Sequence, residues 1–209
     1  MARLVSVNAG HPREIGRRRG RPVLSAIGKA PVDGRIRVAG VNVAGDDQAD
    51  RRVHGGPDKA VYAYAAEDTA WWAAELGREL GPGAFGENLT VEELDVTGAV
   101  IGERWRAGTV TLEVCQPRLP CFKLGLRFGD PGMVRRFAEV GRPGAYLRIV
   151  DEGELGAGDP VELLDRPGHG ITVALVSRAI LVDASLLERA AAAPELPPDL
   201  SGWMLERAA

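Results

Sequence analysis

The sequence predicts an α+β fold that is predominantly β: a barrel or sandwich of short strands, a few peripheral helices and a small helical appendage at its end. Three observations lead there. The first two thirds of the 209-residue chain hold short runs with Val, Ile, Tyr and Leu at alternating or near-alternating positions, closed by turn residues. Two longer segments in that region place their apolar residues at helical spacing. Beyond about Asp165 the texture changes to three short segments separated by Asp183 and a proline group.

The strands, in order, are residues 3–8 (RLVSVN), 34–40 (GRIRVAG), 59–65 (KAVYAYA), 108–115 (GTVTLEVC) and 145–150 (AYLRIV), with turns such as Asp33-Gly34 and Glu152-Gly153 between them. The first helix, residues 67–80, puts Trp72, Leu76 and Leu80 on one face and stops at Gly-Pro-Gly. The second, residues 130–141, offers Asp130 as N-cap, Pro131 in the first turn and Gly141 as stop. Residues 166–170 (RPGHG) read as a linker, so the chain divides into a main domain of residues 1–165 and an appendage of residues 166–209. The appendage helices, residues 172–182, 183–193 and 199–209, are too short to stand alone and must pack on each other or on the main domain.

Composition narrows the function classes. A formal net charge of -3 does not suit a general polyanion binder, so no nucleic-acid partner is expected. The arginine-rich run of residues 11–21 (HPREIGRRRGR) reads as a solvated loop, because it offers bases no aromatic surface. No run reaches membrane-spanning length and the opening residues do not form a secretory apolar segment, so a cytoplasmic protein without membrane contact is expected. Two cysteines six positions apart fit neither a disulfide framework nor CxxC redox chemistry. With three scattered histidines they do not make a structural zinc site either.

Four clusters could carry chemistry. In QPRLPCFKL, Cys121 follows a proline and lies between Arg118 and Lys123, cations that oppose the negative charge of a thiolate. A free Cys is also a small buried hydrophobe, and both readings stay open on this stretch alone. In DRRVHGGPDKAV, Arg51, Arg52, His54 and Lys59 flank a Gly-Gly-Pro turn whose converging N–H groups suit a phosphate; a plain hairpin turn is the bland alternative. GAFGENLTV carries Asn88 and Thr90 just before or within a strand, and Lys29 follows an apolar strand in SAIGKAPV.

Together DRRVHGGPDKAVYAY, FGENLTVEEL, IGERWRAGTVTLEVCQPRLPCFKLGLRFG and GRPGAYLRIVDEGEL resemble the MOSC domain family, its YiiM-like branch in particular, from about Arg3 to Asp165. The tail resembles that branch's three-helix appendage. The resemblance implies a MOSC-type β-barrel that binds the molybdenum cofactor, molybdopterin. It implies Cys121 as the protein's sulfur ligand to the metal, and Arg118 beside it as a catalytic residue stabilising the thiolate or a substrate oxygen. Lys29, Arg51, His54, Lys59, Asn88 and Thr90 would meet the pterin and its anionic tail. Cys115 sits where no thiol is demanded and is assigned to packing.

The implied reaction is two-electron reduction of an N–O bond in N-hydroxylated small molecules such as hydroxylaminopurine-type bases and hydroxylamines. No flavin, haem or iron–sulfur ligation motif stands out, so an external donor such as a flavoprotein reductase is expected. No pyridoxal phosphate site is expected, and the tail is a candidate homodimer surface. Two other classes remain: a sulfur-transfer protein with a persulfide on Cys121, and a non-catalytic carrier of the cofactor.

Overall fold

The computed structural model describes residues 1–49 and 55–209. Its central element is a strand whose side chains must serve two cores. Along β7 (Val61–Ala65) Val61, Ala63 and Ala65 enter one large aliphatic cluster, while Tyr62 and Tyr64 enter an aromatic cluster on the other face. Alternation along a strand makes this division. The parallel partner of β7 is β8 (Leu89–Glu92). A parallel pair needs a crossover, and helix α1 (Ala66–Leu76) supplies it. Trp72, fully buried on α1, joins Tyr64, Phe85 and Phe137 in the aromatic cluster.

The remaining strands of the large sheet are β1 (Arg3–Ala9), β4 (Ala30–Pro31), β9 (Arg104–Ala107), β10 (Val110–Pro117), β11 (Ala145–Asp151) and β13 (Val161–Asp165). Their spatial order is β13-β9-β10-β11-β7-β8-β1-β4. Smaller sheets are formed by β5 (Arg35–Ala39), β6 (Asn42–Val43) and β12 (Gly153–Gly156), and by the hairpin of β2 (Arg13–Arg18) and β3 (Arg21–Ser25).

The sheet does not close into the expected barrel. The free edge of β1 is shared between two-residue β4, paired at Asn8 and Ala9, and the turn before β13. That turn contributes Leu4 N–H to Asp159 O at 2.9 Å, Gly158 N–H to Leu4 O at 2.8 Å, and a lone bridge between Arg3 and Pro160. Val161 N–H adds a bond to Ala2 O at 2.8 Å, so this edge is joined by a single bridge and its flanking hydrogen bonds rather than by a closing strand pair.

Further local readings change. Residues 11–21 are exposed as predicted but form the β2–β3 hairpin rather than a loop, because Arg19 (φ 51) and Gly20 (φ 76) both take the left-handed conformation of a tight two-residue turn. The segment after Cys121, assigned no structure from sequence, is helix α2 (Phe122–Phe128). Helix α1 ends at Gly77 (φ 62), short of Leu80. Helix α3 (Met133–Val140) starts after Gly132, and Asp130 acts two residues before that cap by accepting Gly132 N–H at 2.8 Å.

The tail forms α4 (Val173–Leu181), α5 (Leu187–Ala191) and α6 (Pro198–Ala208). Thr172 caps α4 through Leu175 N–H. Val176, Ala190 and Met204 enter the same aliphatic cluster as Leu112, Val114 and Trp105, so the tail helices bury their apolar faces against the sheet. Among the described residues no helix is long and apolar enough to cross a membrane.

Candidate functional site

The cleft lies where β10 ends and β7 begins, beside the aromatic cluster, and holds about 680 Å3 of empty space with its open mouth included. β10 runs out at Pro117 and the proline-flanked chain then turns into α2. That exit places Arg118 and Cys121 on the cleft wall. Cys121 is the residue that precedes α2, extended at φ -129, and is half-buried.

Arg118 is the most unusual group in the cleft. Its side chain is turned inward, 6% exposed, and its Nη1 has no hydrogen-bond partner among the described residues. The guanidinium lies 5.1 Å from the ring of Phe137 and 5.8 Å from that of Tyr62. Ring faces attract a cation but take no hydrogen bond from it, so one donor remains for a ligand. Tyr62 is fixed by donating its hydroxyl to Pro143 O at 2.8 Å, and Tyr146 packs beside it at 5.2 Å between ring centroids. Burial raises the pKa of Tyr146, against the nearby Arg118 charge.

Opposite stands a polar wall. Buried Lys29 forms an ion pair with Asp46. Asp46 also accepts Gly10 N–H at 2.9 Å and Asn88 Nδ2–H at 2.9 Å. Burial pulls the Lys29 pKa down while Asp46 holds its charge. Asn88 ties this wall to β7 by accepting Tyr62 N–H at 3.1 Å. Gly86 lets the loop approach: its φ is +81, and a Cβ there would stand 2.8 Å from Ile27 Cγ1.

The cleft thus brings together Lys29, Lys59, Asn88, Arg118 and Cys121. Thr90 does not reach it. Its hydroxyl accepts from Asn8 Nδ2 at 3.1 Å and donates to buried Glu87 at 2.9 Å, behind the wall. Glu87 also accepts Gly83 and Phe85 N–H, which closes the glycine loop on itself. Arg51 and His54 lie outside the described residues.

Sequence reasoning did not single out Asp46, Tyr62 or Tyr146. Asp46 had a weak signal in its acidic run just before the cationic loop, whereas the tyrosines read as ordinary strand residues. Cys115 packs as expected: its Sγ lies 2.9 Å from Asp58 O and 3.2 Å from Tyr146 O, and burial pushes its pKa up to about 12.

A model of the MOSC domain matches residues 50–162, more than half of the chain. The chain belongs to the MOSC domain family. It is 39% identical over 184 residues to the uncharacterized protein YflK of Bacillus subtilis, covering 88% of this chain and 83% of that one. Over 146 residues it is 35% identical to the protein YiiM of Escherichia coli, covering 68% and 65% of the two chains. It is also 35% identical over 182 residues to a Gibberella moniliformis protein named "Reductase", covering 85% of this chain and 32% of that protein. Its fold matches the crystal structure of YiiM from Geobacillus stearothermophilus with a TM-score of 0.81 at 28% identity over the whole of both chains.

The donor set agrees with a metal that arrives on an organic frame. Among the described residues no three His, Cys, Asp or Glu side chains gather into a metal site, whereas one thiol and one unsatisfied buried guanidinium share the cleft. A thiolate is a soft ligand and the guanidinium an anion donor, and both suit a sulfur-ligated metal on a phosphorylated pterin.

Proposed function

We propose that the protein is a molybdenum cofactor-dependent reductase of N-hydroxylated compounds, with hydroxylaminopurine-type bases and hydroxylamines as the substrate class. The observation that carries this reading is the pairing in one cleft of half-buried Cys121 with the buried Nη1 of Arg118, which has no partner among the described residues. Family membership and a relative named as a reductase support it.

When bound, the cofactor would supply the two-electron chemistry that converts the N–O compound to an amine or amide and water. The chain's own residues do the rest. Cys121 Sγ provides the soft ligand, and Arg118 Nη1 donates to an anionic or oxygen atom brought against it. Lys29, held by Asp46, presents its remaining ammonium donors on the opposite wall, which Asn88 braces by giving its amide N–H groups to Asp46 and Asn8. Lys59, which lines the cleft, would meet the phosphate of the bound group, and Arg51 and His54 are assigned to it on the family resemblance alone. Tyr62, Tyr146 and Phe85 exclude water from the floor, and the open mouth admits the two protons that the reduction consumes. Electrons come from a separate flavoprotein donor.

The test is expression in hosts with and without pterin cofactor synthesis, followed by molybdenum content, released pterin and reduction of a hydroxylaminopurine by reduced viologen. Metal-dependent turnover supports the reading. Bound molybdenum without turnover would make the protein a carrier, and a metal-free protein with transferable sulfur on Cys121 would make it a sulfur-transfer protein.

A further inference from the structure

The β2–β3 hairpin spends charge in a way its own fold does not need. Between Arg13 and Arg21 it carries five arginines and one glutamate, in a chain of net charge -3. Arg18 stands directly across from Arg21, a like-charged cross-strand pair that costs stability. Arg18, Arg19 and Arg21 are exposed, and no ion pair involving them is found among the described residues. The one pair on the hairpin joins Arg17 to Glu14 at 3.6 Å.

The hairpin does not stand apart from the cleft. Gly16 faces Leu126 of α2, and the Arg18 guanidinium lies 4.2 Å from the ring of Phe122, the residue after Cys121. Lys123 lines the cleft mouth. Exposed Arg127 of α2 and Arg78 extend the cationic face, with Arg78 4.8 Å from the Phe128 ring. Burial, then the like charges of Arg13 and Arg78, depress the Arg127 pKa against the weaker opposing pull of Glu87, so these cations crowd one another. Leu24, 55% exposed, adds an apolar contact beside them.

We propose that the β2–β3 hairpin and the adjoining α2 surface are the docking face for an acidic electron-carrying protein that delivers reducing equivalents to the cleft. The proposal rests on the reductase reading above and names its partner by chemistry: a donor whose own face is rich in carboxylates. The rest of the chain is net acidic and disfavours such a partner on average, so the cationic face biases both the encounter and its orientation. Arginine, planar and multiply donating, is the cation enriched at protein interfaces.

The experiment uses flavodoxin, an acidic flavoprotein, as the probe and the cofactor-loaded full chain. Its variant is Arg19→Asn/Arg21→Glu, in which Asn tolerates the left-handed turn; Arg127→Glu is a second variant outside the hairpin. Flavodoxin binding is read by titration, and substrate reduction is driven by reduced flavodoxin and, separately, by reduced methyl viologen. The expected result is at least a ~10-fold loss of flavodoxin affinity and flavodoxin-driven rate in either variant, and the same loss on adding salt to the unaltered protein. Molybdenum content and viologen-driven rate hold. Salt-independent binding, variants that bind as tightly as the parent, or tighter binding of an oligonucleotide than of flavodoxin would overturn the proposal. If no donor supports turnover while charge-dependent binding remains, the docking face stands and the reductase reading falls.

Discussion

Asn88 gives its Nδ2–H to one carboxylate oxygen of Asp46, and the other oxygen of Asp46 holds buried Lys29. One carboxylate thereby fixes two residues that the sequence had placed near a bound anion. Replacing Asp46 with Asn leaves the Lys29 ammonium buried without its counter-charge, a change expected to cost ~3–5 kcal/mol. The urea midpoint of Asp46→Asn reads this. Adding Lys29→Met to the same variant should restore most of the loss, and failure to restore it would mean that the carboxylate matters to the loop backbone rather than to the lysine.

Arg118 should behave in the opposite way. Its guanidinium is buried and its Nη1 is unsatisfied among the described residues, so Arg118→Met removes a buried charge that no carboxylate there rewards. Stability should hold or rise. Cofactor retention should fall ~10-fold or more, because a charge-assisted bond worth ~1.5–3 kcal/mol is lost. Molybdenum retained on dialysis, set beside a denaturation curve, separates the two effects; a variant that unfolds with its cofactor site intact would reverse the assignment.

Much of this was legible in the sequence for physical reasons. Cys121 and Arg118 stand in one short run between a strand and a helix, so local chain geometry alone brings them together. The Lys29–Asp46–Asn88 wall joins three distant segments, and no periodicity announces such a contact. Thr90 shares the Asn88 side of its strand but stands two residues farther along, where Asn8 and Glu87 take up its hydroxyl, and those partners come from segments that the local pattern does not reveal. The open edge, where β1 meets the turn before β13 through one bridge at Arg3 and Pro160, joins segments far apart in the chain and has no local signal. The β2–β3 hairpin escaped because Arg at a left-handed turn position is not a usual turn signal.

Cys115 gives a pH prediction. Its folded pKa is raised to about 12 from the ordinary 9.0 by burial, so between those values the folded state keeps a proton that the unfolded state releases. The stability it contributes is complete below about pH 9 and is lost as pH rises through about 12. Serine does not titrate there, so the stability of Cys115→Ser should fall less steeply across this window. Buried Tyr62, Tyr64 and Tyr146 are raised as well, which makes the difference between the two denaturation series the measured quantity. Parallel curves would show that Cys115 does not carry the proton.

The tail can be tested through Met204, fully buried in the aliphatic cluster. Met204→Ala should cost ~2–5 kcal/mol in a single cooperative transition. A separate early transition would instead show that the tail melts apart from the sheet.

The most direct measurement of the central claim is the number of sulfur neighbours around molybdenum, read by X-ray absorption on cofactor-loaded protein. The account predicts one sulfur fewer in Cys121→Ser than in the unaltered protein, with N–O reduction abolished, and no change of either kind in Cys115→Ser. An unchanged sulfur count and sustained turnover in Cys121→Ser would contradict it.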